Sequence, residues 1–161
     1  MVYLYRQNNE TVVSKDTTHP KMVLSGRTMG TTYRIVYLDP GGRDFKKEID
    51  SILVDFNQSL STYIPDSELS RLNRHDSLVF ESDYFYPVLQ TSKEVFSITN
   101  GAFDPTIGPL VNAWGFGPDG PSLQDSLGVK KLLEQVGFEN LEFNEKGVIK
   151  SYTDVYLDFS V

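Results

Sequence analysis

The chain contains no cysteine. Disulfides, thiolate catalysis, cysteine-ligated zinc and iron–sulfur clusters are therefore excluded, while the redox compartment is left open. Histidine is almost as scarce: His19 and His75 are the two in 161 residues. They leave almost no material for an HExxH zinc site or another two-histidine ligand pair. His75-Asp76 reads as a solvated pair in a polar connection. Long apolar runs are missing too, since none approaches the ~20 residues that a membrane-spanning helix requires. The opening Met1-Val2-Tyr3-Leu4-Tyr5-Arg6 has no basic segment followed by an apolar one, so no signal peptide is visible. Positive charge is in deficit, with 15 basic against 22 acidic residues and a net charge of −7. A surface of that sign repels phosphate backbones and argues against nucleic acid as a partner.

What is present suffices for a core. The chain is 39% hydrophobic and 12% aromatic, and a domain of this size buries roughly 70% of the surface its unfolded chain exposes. Residues 1–20 are mostly polar and read as a flexible arm or tether, unable to bury enough apolar surface to offset the entropy of ordering. Residues 21–161 read as the folded part. Met22-Val23-Leu24 and Tyr33-Arg34-Ile35-Val36-Tyr37-Leu38 have strand composition, with Gly26 and Gly30 punctuating the connection and Asp39-Pro40-Gly41-Gly42 ending the second. Phe45, Ile49, Ile52, Leu53, Phe56 and Leu60 recur at helical spacing. Ser67 and Glu68 open a short helical turn carrying Leu69 and Leu72.

A second long helix is expected after Ser82-Asp83, with Tyr84, Val88, Thr91 and Val95 on its stripe beside Phe85, Leu89 and Phe96, and a stop at Asn100-Gly101. Asp104-Pro105 has the form of an N-cap followed by proline, opening a third helix through Val111. Ser122-Leu123-Gln124-Asp125 resembles a capping box for a fourth, with Leu127, Leu132, Leu133 and Val136 inward and Gly137 at its end. The remainder alternates: Leu141–Phe143 and Gly147–Lys150 around an Asn144–Gly147 turn, then Val155–Phe159. Strands at both ends around a central group of about four helices make an α+β chain.

No serine lies in a GxSxG elbow. Gly115-Phe116-Gly117-Pro118-Asp119-Gly120 matches GxGxxG, but it follows a predicted helix rather than a strand, and Pro118 lacks an N–H that a phosphate needs. It reads as coincidence. Four segments are better candidates. Ser25–Tyr33 places Gly26 and Gly30 around Met29, whose polarizable side chain suits flat rings, against the plainer reading of a hairpin with a core methionine. Ser61-Thr62-Tyr63 sets an aromatic at a helix end, where packing is the plainer role. Asn100–Gly117 concentrates small residues, Asp104 and a helix start able to receive a ligand edge, unless Asp104 is only a cap. Asp158, between Leu157 and Phe159, is either an ordinary half-exposed carboxylate or one aimed at a polar site.

Taken in order, Thr28-Met29-Gly30-Thr31, Leu60-Ser61-Thr62-Tyr63, Gly101-Ala102-Phe103-Asp104-Pro105-Thr106-Ile107-Gly108-Pro109-Leu110-Val111-Asn112, Trp114-Gly115-Phe116-Gly117 and Leu157-Asp158-Phe159-Ser160 resemble the ApbE family of FAD:protein FMN transferases, once called thiamine biosynthesis lipoproteins. The likeness runs through essentially all of 22–161. It implies an ApbE-like (T-fold-like) architecture and FAD contacts at Met29, Tyr63, Ala102, Phe103, Asp104 and Asp158. It also implies a main-chain carbonyl ligand for Mg²⁺ at Val161, a type of donor that suits a hard cation. Family members continue past this point with a glycine- and lysine-containing helix start and a further domain holding an Asp and a Thr that ligate the metal. On this resemblance the 161 residues are expected to be an N-terminal half, inactive alone.

For the intact protein the resemblance implies Mg²⁺-dependent transfer of FMN from FAD to a Thr hydroxyl of an acceptor flavoprotein, releasing AMP. FAD pyrophosphatase activity and non-catalytic flavin binding stand as alternatives. It implies export to the periplasm or cell envelope, with membrane contact only through a lipid anchor absent from these residues.

Overall fold

The structure, a computed structural model, describes residues 19–116 and 125–159. Two units are distinguished, Met1–Asp50 and Ser51–Val161. Residues 1–18 of the expected arm, the Ser122–Gln124 part of the expected capping box and Val161 lie outside the described residues.

The first unit is built on one antiparallel hairpin, β1 (Lys21–Thr28) and β2 (Thr31–Leu38). Its register pairs Thr28 with Thr31 and so leaves a two-residue turn, Met29-Gly30. Both turn residues have positive φ, 50° and 70°, the geometry that matches strand twist in short hairpins. Gly26 does not break β1 as its composition suggested. It pairs with Tyr33, and a Cβ there would stand 2.6 Å from a ring carbon of Tyr33. The missing side chain thus makes room for the tyrosine ring, whose hydroxyl donates to Asp50 Oδ1 at 2.5 Å.

After β2 the chain turns at Asp39, which is buried. Its Oδ2 accepts from the backbone N–H of Gly41 (2.9 Å) and Arg43 (3.0 Å), while the Arg43 guanidinium donates to Oδ1. The side-chain and backbone hydrogen bonds from Arg43 hold the Asp39 carboxyl down at about 2. α1 (Lys46–Leu60) follows, starting one residue after Phe45, whose ring lies 5.6 Å from that of Tyr37.

The second unit contains the rest of α1, then α2 (Glu68–Arg74), β3 (Ser77–Val79), α3 (Phe85–Ile98), α4 (Gly108–Ala113), α5 (Ser126–Leu133), a 3-10 turn Phe138–Asn140, β4 (Leu141–Asn144) and β5 (Gly147–Lys150). The three strands form one antiparallel sheet in the order β3-β5-β4. The α+β class expected from sequence is the class observed, with β3 as an unforeseen strand between helices. Three residues are too few to show alternation, and β3 exists because β5 pairs with it.

α2 opens as expected, with Ser67 as N-cap accepting from Ser70 N–H. α3 turns Phe85, Leu89 and Ser92 to the interior, while Thr91 is exposed. The stripe therefore follows the 85/89/92/96 spacing rather than 84/88/91/95. Its end is the one anticipated: Asn100 and Gly101 take φ of 51° and 80°, and Gly101 N–H donates to Phe96 O at 2.9 Å. Its start is not, because Tyr84 is the N-cap without a side-chain bond and Ser82 Oγ accepts from Tyr84 N–H just before it.

Two further helix starts are displaced. Asp125 alone is the N-cap of α5, accepting from Gly128 N–H at 2.8 Å. On α5 Val129 and Leu132 turn partly inward, while Leu127 and Leu133 are exposed; Val136, also partly buried, lies beyond the end of the helix. Residues 132 and 133 lie ~100° apart around a helix and do not share a stripe. α4 begins at Gly108 rather than Pro105, because the preceding residues are engaged elsewhere: Asp158 N–H donates to Pro105 O at 2.8 Å, and Ile107 bridges to Tyr156.

The core of this unit gathers Leu60, Leu69, Leu72, Phe85, Leu89 and Leu157 with residues of β4 and β5. Phe85 is central, its ring stacked on Phe80 at 5.0 Å and edge-on to Phe159 at 5.8 Å. Lys150 is also buried, its ammonium donating to Thr153 O and Val155 O, both at 2.9 Å. Burial pushes that amine below its ordinary range.

Candidate functional site

The sequence candidates fall on loops and segment ends. Met29 is at the tip of the β1–β2 hairpin in the first unit, 52% exposed. A non-glycine residue at φ 50° is strained backbone, tolerated where a turn holds it. The other described candidates belong to the second unit, and hydrogen bonds join their segments.

Tyr63 lies just beyond α1 with its ring exposed. Its N–H donates to Ser61 Oγ (3.1 Å), and its hydroxyl donates to Phe116 O (3.1 Å). Ser61 is fixed in turn, because its carbonyl accepts from Ser67 Oγ (2.5 Å) and Ser70 Oγ (3.1 Å) at the first turn of α2. At the far end of α2, Asn73 grips Leu157 from both sides: Asn73 Nδ2 donates to Leu157 O (2.9 Å), and Leu157 N–H donates to Asn73 Oδ1 (2.8 Å).

That grip corrects an expectation about Val155–Phe159. The segment is not a strand. Among the described residues it makes one isolated parallel bridge, Ile107 to Tyr156, and a side-chain amide stands where a partner strand would. Asp158 is buried at 5% exposure, so it is not the half-exposed carboxylate of the plainer reading. Buried carboxylates are held by partners or directed to polar ligands.

Ala102, Phe103 and Asp104 occupy the loop between α3 and α4. Ala102 is exposed, and Phe103 and Asp104 are half-buried. Phe103 N–H donates to Thr99 Oγ1 (3.2 Å). Asp104 caps no helix. Its Oδ1 accepts from both Thr106 N–H (2.9 Å) and Thr106 Oγ1 (2.7 Å), closing a local turn. Thr106 is fully buried, and its hydroxyl also accepts from Gly137 N–H at 2.7 Å. The carboxylate is thereby locked by a hydroxyl tied to the start of the 3-10 turn.

Gly108 completes the junction. A Cβ there would meet the Tyr156 ring and stand 2.7 Å from Tyr156 O, so only glycine lets α4 start this close to the 156–158 segment. The chain of contacts closes on itself: Tyr63 to Phe116, α4 to Tyr156, Leu157 to Asn73, and α2 back to Ser61. Asn73, Ser67 and Ser70 are the members that no sequence motif exposed as functional. Gly108 and Thr106 were visible only as letters of a longer string.

Chemically the arrangement offers recognition. Tyr63, Trp114 and Phe116 are exposed aromatic surfaces (64%, 68% and 74%) able to cover a planar ring. A groove of 680 Å³ elsewhere in this unit contains none of the candidates. Asp55, Asp66, Glu68, Glu81 and Asp83 line it with one cation, Arg71, which is paired with Glu81, so its lining is net acidic and disfavours a bare pyrophosphate. The described residues hold no group of three His, Cys, Asp or Glu able to bind a metal ion. Val161, to which the resemblance assigns a carbonyl ligand for Mg²⁺, lies outside them.

Comparison with known proteins decides the family. The sequence model of the ApbE family matches residues 29–161. The chain belongs to the ApbE family. It is 40% identical over 147 residues to an FAD:protein FMN transferase of Vibrio cholerae, an alignment covering 85% of this chain and 43% of that protein. It is 39% identical over 153 residues to the protein of the same name in Haemophilus influenzae, covering 85% and 44%. Among solved structures, flavin transferase ApbE from Vibrio cholerae superposes with a TM-score of 0.81 at 36% identity, over 88% of this chain and 48% of that one. The Thermotoga maritima ApbE protein, at 22% identity and a TM-score of 0.70, shares the fold. The chain spans less than half the length of the curated relatives it matches.

Proposed function

We propose that the intact protein transfers the FMN moiety of FAD to a Thr hydroxyl of an acceptor flavoprotein. In that reaction the Thr oxygen forms a new bond to the FMN phosphorus, the pyrophosphate P–O bond breaks, AMP leaves and the hydroxyl proton passes to solvent. The observation that carries the reading is the hydrogen-bonded circuit of the second unit. It ties Tyr63, Asp104 and Asp158, three of the positions the ApbE resemblance assigns to FAD, into one framework. The names of the relatives support the same chemistry.

Tyr63 would cover a planar ring of the nucleotide. The Ala102–Asp104 loop would present its edge, and Asp158 would accept a hydrogen bond from it. Met29 would supply a polarizable contact from the hairpin tip. The Mg²⁺ that the resemblance implies, with the Val161 carbonyl among its ligands, would neutralise charge on the pyrophosphate. We also place the protein in the cell envelope, exported and lipid-anchored. Fractionation of the native host would test that: recovery in the cytosol overturns it.

Incubation of the intact protein with FAD, Mg²⁺ and a Thr-containing acceptor should produce covalent flavin fluorescence on the acceptor in a denaturing gel, with AMP in equal amount. AMP and free FMN without a labelled acceptor would replace the transferase by a pyrophosphatase. FAD binding without turnover would leave a flavin-binding protein.

A further inference from the structure

We propose that Asn73 is a positioning residue for the nucleotide site, setting the place of the Asp158 carboxylate through the backbone of Leu157. The proposal rests on the reading of Asp158 as a ligand contact. Asn73 lies near the end of α2, half-buried, 84 residues before Leu157 in sequence. A carboxamide carries a donor and an acceptor side by side at the spacing of a peptide group, so it can satisfy both backbone groups of one residue as a strand partner does. The two bonds, 2.9 and 2.8 Å, do that for Leu157.

The next N–H, that of Asp158, is bound to Pro105 O at 2.8 Å. The Leu157 side chain is wholly buried in the core. Three hydrogen bonds and one core anchor thus fix two consecutive residues, from α2 on one side and the residue after the Ala102–Asp104 loop on the other. The opposite end of α2 holds Ser61, two residues before Tyr63. This short helix, ~10 Å long, therefore sets the spacing between the Tyr63 turn and the Asp158 segment.

The test is a double-mutant cycle on the intact protein, reading FAD affinity by quenching of FAD fluorescence, well below each variant's unfolding midpoint. Asn73→Asp is isosteric, keeps the acceptor and loses the donor. It should raise the FAD Kd about tenfold, the effect of one buried group left unpaired. Asp158→Ala should also raise it. In the Asp158→Ala background, Asn73→Asp should add nothing, because its effect travels through the missing carboxylate. Additive effects would make Asn73 a structural residue only and overturn the proposal. An Asp158→Ala variant with unchanged affinity would sink the reading of Asp158, and the proposal with it. Should Asn73→Asp fail to fold, Asn73→Ser, which removes both bonds without adding charge, carries the same comparison.

Discussion

Asp39 and Lys150 show how much a single buried polar side chain can organise, and in opposite electrostatic senses. Asp39 gains Arg43 and two backbone N–H groups on folding, and its pKa falls from 3.8 to about 2. Between those values the unfolded chain binds more protons, so stability rises with pH there; the contribution is whole above about 4 and is lost as pH falls through 2. The urea midpoint should therefore drop between pH 4 and pH 2, and drop less in Asp39→Asn. An equal fall in both proteins would show that Arg43 does nothing for Asp39. Lys150 is shifted the other way by burial and is retained because two carbonyls need its protons. The turn residues around Asp39 were readable in sequence as Asp-Pro-Gly-Gly. Lys150 was not, because an exposed and a buried lysine in a strand are written with the same letter.

At the scale of elements, local signals worked where the stabilising partner is a few residues away. The Ser67 cap, the Asn100-Gly101 stop and the Asn144–Gly147 hairpin turn are of this kind. They failed where the partner is remote. Asp104-Pro105 has the letters of a helix start, yet Thr106, Gly137 and Asp158 claim that loop and delay α4 to Gly108. Val155–Phe159 has strand composition and receives a side-chain amide in place of a strand.

The Met29-Gly30 turn invites a test at this scale. Asparagine tolerates positive φ better than methionine, so Met29→Asn should stabilise the hairpin by about 1 kcal/mol. If Met29 contacts FAD as proposed, the substitution should also weaken FAD binding, since a polarizable side chain is lost. Thermal unfolding alongside a flavin titration checks both, and a gain in stability with unchanged affinity would withdraw the proposed assignment of Met29 to FAD.

For the whole molecule, what counts is that each unit's candidates stand on a framework that packing supplies. In the second unit Phe85 is the deepest aromatic, wholly buried between Phe80 and Phe159, the latter adjacent to Asp158. Phe85→Ala should cost about 3–5 kcal/mol in denaturant unfolding. A loss under about 1 kcal/mol would mean that the core is centred elsewhere. Composition, the lack of cysteine and the scarcity of histidine narrowed the chemistry. The ordered motifs named Met29, Tyr63, Ala102, Phe103, Asp104 and Asp158, and the periodicities set the α+β class. All of these depend on residue identity and short spacing, which a sequence carries in full. The joining of Tyr63, Asp104 and Asp158 through Asn73, Thr106 and Gly108 depends on contacts across up to 84 residues. Only the folded chain decides those, because a donor's partner is set by where the backbone returns and not by which letters lie beside it.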